Sequence, residues 1–231
     1  MEKLSLRDAF VKREKRFMLL DKGCEKAGFE TSQKLLEAGC AGGEAAEHMF
    51  EKGYERLWAI DIDGEIIEQA KARVPGCSFL CADACALPFE KESFDGIYSE
   101  AAFALIPDKA AAAGEYARVL KKGGRLLLND FMLRSVSDSD RRCMEGIPML
   151  MGVQTAQVYK HVFEQQGFSC IYEREEFPEL IRIAISLSKT YNISPTEVGQ
   201  YIVASFGRSE FVSDFFSQTQ MSYCQMIFEK V

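Results

Sequence analysis

A turn built from small residues follows an apolar run near the start of the chain. The sequence LLEAGCAGG places Glu37 at the end of the run and Gly39, Ala41 and Gly43 at alternate positions after it. Small residues at this spacing let a nucleotide-type cofactor approach the backbone of a strand-to-helix turn. Ala41 stands where the usual pattern has glycine. The stretch therefore predicts a cofactor turn, with a plain packing turn as the alternative.

Acidic residues after the next two apolar runs favour the cofactor interpretation. Asp61 in WAIDID comes 22 residues after Gly39, about the spacing at which a carboxylate accepts hydrogen bonds from a ribose hydroxyl pair. Asp63 is the weaker ligand candidate, and a helix N-cap is its alternative role. Asp83 in CADACALPF could accept from an adenine amine or form a turn. Three strand ends would then share one ligand.

The elements that must position these residues alternate regularly from about residue 33 to residue 131. The sequence predicts strands in KLLEAG, RLWAIDID, CSFLCADA, FDGIYS and RLLLNDF, and helices in GEAAEHMFEKG, GEIIEQAKARVPG and DKAAAAGEYARVLKKGG. This pattern is typical of parallel strands joined by crossover helices. Such α/β sheets bind ligands at the carboxyl ends of their strands, where the turn and the acidic residues fall.

The pattern changes after residue 131. Residues 132–152 are rich in turn formers, TAQVYKHVFEQQGF predicts a helix, and SCIYEREEF predicts a strand. Two more helices are predicted in 178–192 and 194–207, and MSYCQMIFEKV predicts a final strand. We expect residues 1–231 to form a single domain, with a helical N-terminal arm at about 1–32 and a substrate-side insertion at about 132–217.

Five motifs resemble, in order and spacing, those of class I S-adenosylmethionine-dependent methyltransferases over roughly residues 33–130. They are LLEAGCAGG, WAIDID, CADACALPF, SFDGIYSEAAF and EYARVLKKGGRLLLND. The resemblance implies an α/β fold, a Rossmann-like three-layer sandwich with a seven-stranded, mostly parallel sheet and an antiparallel last strand. It also implies S-adenosyl-L-methionine as the cofactor, and a small molecule is the leading class of acceptor.

The resemblance also assigns roles to the site residues. Glu37 would hold the methionine amine through the turn, Asp61 the ribose, and Asp83 with Ala84 the adenine. The implied cofactor-binding residues are Glu37, Gly39, Ala41, Gly43, Asp61, Ile62, Asp83, Ala84 and Ser99. The turn would face a methionine moiety rather than a pyrophosphate, so one extra methyl group at Ala41 is compatible with binding if there is clearance.

A sulfonium makes its methyl group strongly electrophilic, so the main task of such a protein is to align the acceptor for in-line displacement and to exclude water. A general base is optional and depends on the acceptor atom. Glu100, directly after the fourth strand, is the catalytic candidate nearest the expected acceptor site, with an exposed carboxylate that takes no part in catalysis as the alternative. His48 and His161 are interpreted as surface or packing residues.

The segments SEAAFALIPDK and RRCMEGI carry a weaker resemblance to arsenite methyltransferases, in which cysteine thiolates bind trivalent arsenic. Cys143 is the matching residue and the second catalytic candidate, while Cys24 and Cys224 are weaker possible ligands. Soft thiolates suit a soft metalloid, but a buried inert thiol is the alternative for Cys143. No metal site is expected.

Composition limits the remaining classes of function. A formal net charge of −7 argues against nucleic acid as a partner. The chain has no long apolar run and no signal-like N-terminus, so we expect a cytoplasmic protein with reduced thiols and no membrane partner. The sequence makes no prediction of oligomeric state. A nicotinamide-dependent oxidoreductase and a noncatalytic S-adenosylmethionine-binding protein are the competing interpretations.

Overall fold

The computed structural model of the chain describes residues 15–137, 141–142, 144–205 and 220–231. The strands are β1 (Leu35–Ala38), β2 (Leu57–Asp61), β3 (Ser78–Cys81), β4 (Phe94–Glu100), β5 (Leu120–Leu133), β6 (Phe168–Glu175) and β7 (Met221–Lys230). The helices are α1 (Met18–Ala27), α2 (Glu44–Glu51), α3 (Gly64–Arg73), α4 (Lys109–Val119), α5 (Pro148–Met151), α6 (Ala156–Glu164), α7 (Phe177–Tyr191) and α8 (Val198–Ser205). A short 3-10 helix at Phe103–Leu105 follows β4.

The strands form one seven-stranded sheet in the order β3-β2-β1-β4-β5-β7-β6. The first five strands pair in parallel, whereas β7 lies between β5 and β6 and runs antiparallel to both. The predicted fold class is therefore confirmed, including the antiparallel last strand. Because β1 to β4 are parallel neighbours, their carboxyl ends lie at one edge of the sheet.

Helices cover both faces of the sheet, which is why its central strands are apolar on both sides. On one face, Tyr116 of α4 and Phe163 of α6 are fully buried against sheet residues such as Leu128. On the other face, Met49 of α2 and Ile67 of α3 are buried in a second cluster that also contains residues of α1. These faces and the sheet make the predicted three layers.

Helix α1 lies within the predicted N-terminal arm and packs on β5 and β7. Gly23 is at the contact, since a Cβ there would lie 2.7 Å from Leu127 Cδ1 and 2.8 Å from Gln225 Nε2. The helix ends at Gly28, which has the left-handed φ of +66°. Residues 1–14 lie outside the described residues, and the division of the chain into arm, domain and insertion stays a prediction.

Local capping explains where several helices begin. Asp63 is the N-cap of α3, because its side chain accepts hydrogen bonds from the N–H groups of Glu65 and Ile66. Asp108 accepts from the Ala111 N–H at the start of α4, and a threonine caps α6 in the same way. Asp63 therefore has the capping role that its position suggested as the alternative to ligand binding.

The helix predicted over residues 108–124 is shorter than expected. It ends at Val119, and β5 begins at Leu120, opposite Phe94. Gly123 has φ +74°, and a Cβ on Gly124 would lie 2.9 Å from the Asp95 carbonyl oxygen. The backbone is thus extended from Leu120, and the KKGG segment belongs to the irregular start of a strand, where Gly123 adopts a left-handed φ.

Helices α5, α7 and α8 pack together beyond the end of β5. Leu150, Leu187 and Ile202, one from each helix, are buried in a cluster with Phe131 and Tyr223 of the sheet. Strand β5 itself continues to residue 133, two residues beyond its predicted end. In the part of the chain that the structure describes, no helix is long and apolar enough to cross a membrane.

Candidate active site

The turn between β1 and α2 requires glycine at two positions. Gly39 has φ +82°, and a Cβ there would lie 2.2 Å from the Cβ of Ala102. Gly43 is the N-cap of α2 with φ +79°, and a Cβ there would lie 3.0 Å from the Cβ of Ala70. Conformation and packing both exclude a side chain at these positions.

Ala41, between these glycines, has the left-handed φ of +45°. An L-residue with a Cβ pays roughly 1 kcal/mol for this conformation, whereas glycine adopts it without that cost. The N–H of Ala41 donates a hydrogen bond to Asp61 Oδ2 at 2.9 Å. The alanine is therefore held in a conformation typical of glycine by a contact with the neighbouring strand.

Asp61, the last residue of β2, accepts two backbone hydrogen bonds. Besides the Ala41 N–H, the Asp63 N–H donates to Asp61 Oδ1 at 3.1 Å. A carboxylate offers about four lone-pair sites, so these bonds fix the orientation of the group and leave acceptor capacity for a ligand. Ile62 follows directly and is 73% exposed, which makes it an apolar surface beside the carboxylate.

Asp83 and Ala84 lie in the turn after β3. The N–H of Cys85 donates to Asp83 Oδ1 at 2.8 Å, and the N–H of Ala86 donates to the Asp83 carbonyl at 3.0 Å. Asp83 is therefore a turn-forming residue in the structure. Its carboxyl group is fixed by this turn, which follows β3 at the same sheet edge as Asp61. Ala84 is half-buried against the core cluster beneath this turn.

Two side-chain hydrogen bonds join β1 to β4. The Tyr98 hydroxyl donates to Glu37 Oε2 at 3.1 Å, and the Ser99 hydroxyl donates to the Ala38 carbonyl at 3.1 Å. Glu37 is only 1% exposed, and burial raises the pKa of its carboxyl well above the ordinary value, while the Tyr98 hydrogen bond opposes that shift. Burial thus favours the neutral form of the Glu37 carboxyl in the free protein.

A chain of polar side chains crosses the sheet from Glu100. The Asn129 Nδ2 donates to Glu100 Oε1, and Gln225 Nε2 donates to Asn129 Oδ1 at 3.0 Å and to the Leu19 carbonyl at 2.8 Å. The Tyr223 hydroxyl donates to the Asn129 carbonyl at 3.1 Å. Glu100 is therefore held by a network that reaches helix α1. Sequence reasoning missed Asn129 and Gln225, although polar residues inside apolar strands were a signal.

Asp130 positions the segment that follows β4. The N–H of Ala104 donates to Asp130 Oδ2 at 2.8 Å, and the N–H of Phe131 donates to Oδ1 at 2.7 Å. Burial raises the pKa of Asp130 to about 7, opposed by these amides and by Lys109. The Lys109 ammonium donates to the carbonyl oxygens of Ala104 and Ile106, so it ties the same short 3-10 helix to α4.

The two histidines lie on helices and have surface or packing environments. His48 Nε2 is 2.7 Å from Asp21 Oδ1, and its ring stacks on Phe17 at a centroid distance of 4.3 Å. His161 is exposed on α6. Among the contacts of the described residues, neither histidine touches the glycine turn or Glu100.

Of the cysteines offered as arsenic ligands, Cys24 and Cys224 lie in the described structure, where they belong to different core clusters. Cys24 contacts the Met49 sulfur at 3.8 Å, and burial raises the pKa of its thiol to about 12. Burial also raises the pKa of Cys224, which is fully enclosed. Cys143 lies outside the described residues. Among those residues, no group of three or more histidine, cysteine or acidic side chains could hold a metal ion.

The structure brings four of the predicted residues to one edge of the sheet. Glu37, Asp61 and Glu100 are in or at the ends of β1, β2 and β4, and Asp83 follows β3. The glycine turn lies between the first two of these groups. The edge therefore combines a glycine-rich turn, an exposed apolar residue and a series of carboxyl groups.

Comparison with known proteins shows that part of the chain matches a protein family. Residues 36–128 match the family model described as a methyltransferase domain. A methyltransferase of Streptomyces halstedii, GfsG, is 30% identical over 145 residues, which cover 60% of this chain and 51% of that protein. The chain thus spans about half the length of the curated relatives it matches.

Solved structures share the fold at low sequence identity. Phosphoethanolamine N-methyltransferase 2 of Haemonchus contortus, solved with phosphomonomethylethanolamine and S-adenosylhomocysteine, aligns with a TM-score of 0.73 at 15% identity. That alignment covers 100% of this chain and 61% of the other. Geranyl diphosphate C-methyltransferase of Streptomyces coelicolor, solved with Mg²⁺, geranyl diphosphate and S-adenosylhomocysteine, aligns at 0.70 with 12% identity, over 90% of this chain and 77% of the other.

Proposed function

Because the chain belongs to the class I S-adenosylmethionine-dependent methyltransferases, we propose that it transfers the methyl group of S-adenosylmethionine to a small-molecule acceptor by in-line displacement. The observation that carries the proposal is the 2.9 Å hydrogen bond from the Ala41 N–H to Asp61. It joins a tightly packed, glycine-rich turn to a carboxylate at the next strand end. These features suit the amino-acid and ribose parts of the donor.

The glycine turn and Asp61 would hold one half of the donor. Gly39 and Gly43 let the turn pack closely against Ala102 and Ala70, which fixes the path of the backbone that would face the donor. Asp61 is already oriented by two backbone amides and has lone pairs left for two ribose hydroxyls. A carboxylate that accepts from both hydroxyls would distinguish a ribose from a ligand that lacks them.

The adenine would lie beyond Asp61. The exposed Ile62 side chain offers an apolar surface for the flat face of a base. Asp83, fixed by the Cys85 N–H, offers a carboxylate that can accept from the adenine amine. Ala84 is small and half-buried beside it, which leaves room for the ring.

The charge at this edge also suits the donor. The sulfonium and ammonium groups are cationic, and Glu37, Asp61, Asp83 and Glu100 are acidic. Carboxylates near a cation stabilise it most where the site is shielded from water. Glu37 would act through the turn, because it is buried beneath it and bonded to Tyr98.

S-adenosylmethionine supplies an electrophilic methyl group, and its sulfur keeps the electron pair of the broken carbon–sulfur bond. The protein would align the acceptor and receive its proton. Glu100 is the group placed for this, since it ends β4 beside the turn and its Oε1 is held by Asn129. Asn129 is in turn fixed by Gln225, so it would act as a positioning residue for the carboxylate.

A screen with methyl-radiolabelled S-adenosylmethionine and acceptors that carry a hydroxyl, amine, thiol or carboxyl group tests the proposal. We expect label transfer to at least one class, and Glu100→Gln should lower kcat while the donor Kd changes less than about twofold. Saturable donor binding with no transfer to any acceptor would instead support the noncatalytic alternative.

A further inference from the structure

An apolar pocket of about 200 Å³ opens between α7, α8 and the ends of β5 and β7. Its wall is formed by side chains such as Phe131, Leu150, Leu180, Ile183 and Val198. Among the described residues that line it, Thr196 is the one with a polar side chain and none is charged. A charged or strongly polar ligand would lose its hydration here without gaining a partner.

Exposed apolar side chains are concentrated on the three helices that pack around this pocket. Among the described residues, five of the ten large apolar side chains that are exposed lie on α5, α7 and α8: Met151, Phe177, Ile181, Ile185 and Tyr201. Phe177 and Ile181 line the pocket and are 38% and 43% exposed. Apolar groups gathered at the mouth of a concave site are typical of small-molecule binding.

One wall residue of the pocket lies on the same strand as the Glu100 network. Phe131, in its wall, follows Asn129 by two residues on β5, so both side chains lie on the same face, about 7 Å apart along the strand. Asn129 holds Glu100. The end of α5 packs closely on the segment that follows Glu100. A Cβ on Gly152, the residue after α5, would lie 1.9 Å from the Ala104 carbonyl oxygen in that segment.

We propose that the methyl acceptor has an apolar body, an aliphatic chain or a hydrophobic ring system, which lies in this α7–α8 pocket while its acceptor atom faces Glu100. This inference rests on the proposed function and adds the substrate class to it. Small acceptors that are charged throughout, such as free amino acids or phosphorylated amines, do not match the lining. The pocket selects the body of the acceptor, and the Glu100 network orients its reactive end.

Methyl NMR of the full chain, labelled at isoleucine, tests the pocket and the donor site separately. The probe is a series of straight-chain primary alcohols from hexanol to decanol. The methyl signals of Ile181 and Ile183 should shift saturably, and Kd should fall roughly fourfold for each added methylene until the pocket is filled. The Ile185 methyl group, on α7 but outside the lining, is the control.

Two pairs of variants link the shifts to the pocket. Ala184 lines it, so Ala184→Phe should weaken octanol binding about tenfold or more, while Ala184→Ser should leave it within about twofold. Ile181→Lys should weaken octanol binding, and Ile185→Lys on the same helix should not. This second pair of variants changes only exposed positions, so it tests binding in the pocket even if Ala184→Phe does not fold.

Shifts that do not saturate, a Kd independent of chain length, or octanol affinity unchanged in both Ala184→Phe and Ile181→Lys would overturn the inference. The Ile62 methyl group reports the donor in the same samples. If S-adenosylmethionine leaves the Ile62 signal unchanged, the proposed function is contradicted. The alcohol titration still tests ligand binding in the pocket in that case.

Discussion

The backbone N–H of Ala41 donates to Asp61 Oδ2 across 2.9 Å, from the turn after β1 to the last residue of β2. This contact fixes a turn in which an alanine has a left-handed φ of +45°. It also orients the carboxylate that we assign to the donor ribose. The conformation of the turn and the affinity for the donor are therefore expected to depend on each other.

Ala41→Gly should stabilise the protein. Glycine adopts the left-handed conformation without the Cβ penalty, so we expect the free energy of unfolding in urea to rise by about 0.5–1 kcal/mol. Ala101 also has a left-handed φ, +56°, and Ala101→Gly should act in the same direction. The matched control is Ala117→Gly inside α4, which should destabilise by about 1 kcal/mol. Equal losses of stability in all three variants would contradict the strain at position 41.

Asp61→Ala should weaken S-adenosylmethionine binding by about 1.5–3 kcal/mol, roughly ten- to hundredfold in the Kd measured by calorimetry, because a charged hydrogen-bond acceptor is lost. Asp63→Ala is the control two residues away. It removes the N-cap of α3 and should cost about 0.5–2 kcal/mol of stability with little change in donor affinity. Similar donor affinities in the two variants would remove Asp61 from the site.

Donor affinity should rise with pH. Burial raises the pKa of Glu37 well above its ordinary value, which favours the protonated carboxyl in the free protein. A cationic donor nearby favours the carboxylate, and binding should therefore release a proton and tighten as the pH increases towards the raised pKa. Calorimetry in two buffers of different ionisation enthalpy measures that proton. Glu37→Gln should abolish the release; an unchanged release in this variant would assign the proton to another group.

Asp130 should make the protein less stable as the pH rises. Its folded pKa of about 7 exceeds the unfolded value of an aspartate, so the folded state binds the extra proton between these values. This contribution is fully present below about pH 4 and is lost as the pH rises through 7, with a slope of at most about 1.4 kcal/mol per pH unit. Between pH 4 and 8 the free energy of unfolding of the wild type should fall more steeply with pH than that of Asp130→Asn, which keeps the contribution of Glu37 but lacks that of Asp130. Parallel pH profiles would refute this assignment.

Much of the fold could be predicted because its signals are local. The alternation of strands and helices, the acidic residues at strand ends and the Asp63 N-cap all depend on neighbouring residues. The early end of α4 was missed because Leu120 pairs with Phe94 on another strand. Tertiary pairing decided that boundary.

Part of the candidate site could also be predicted from local signals. The turn and Asp61 fall in one short stretch, whereas Asn129 and Gln225 meet only because β5 pairs antiparallel with β7. The left-handed φ of Ala41 accompanies a hydrogen bond to Asp61 on the next strand. The sequence alone showed neither feature and raised only the question of whether the Ala41 methyl group leaves room for the donor. The α7–α8 pocket likewise exists only after distant helices pack around Phe131.

Calorimetric titration of the purified full chain with S-adenosylmethionine, beside a parallel titration with NAD⁺, tests the central claim most directly. We predict saturable binding of S-adenosylmethionine that Asp61→Ala weakens at least about tenfold, and no saturable binding of NAD⁺. Saturation by NAD⁺ without saturation by S-adenosylmethionine would contradict the claim.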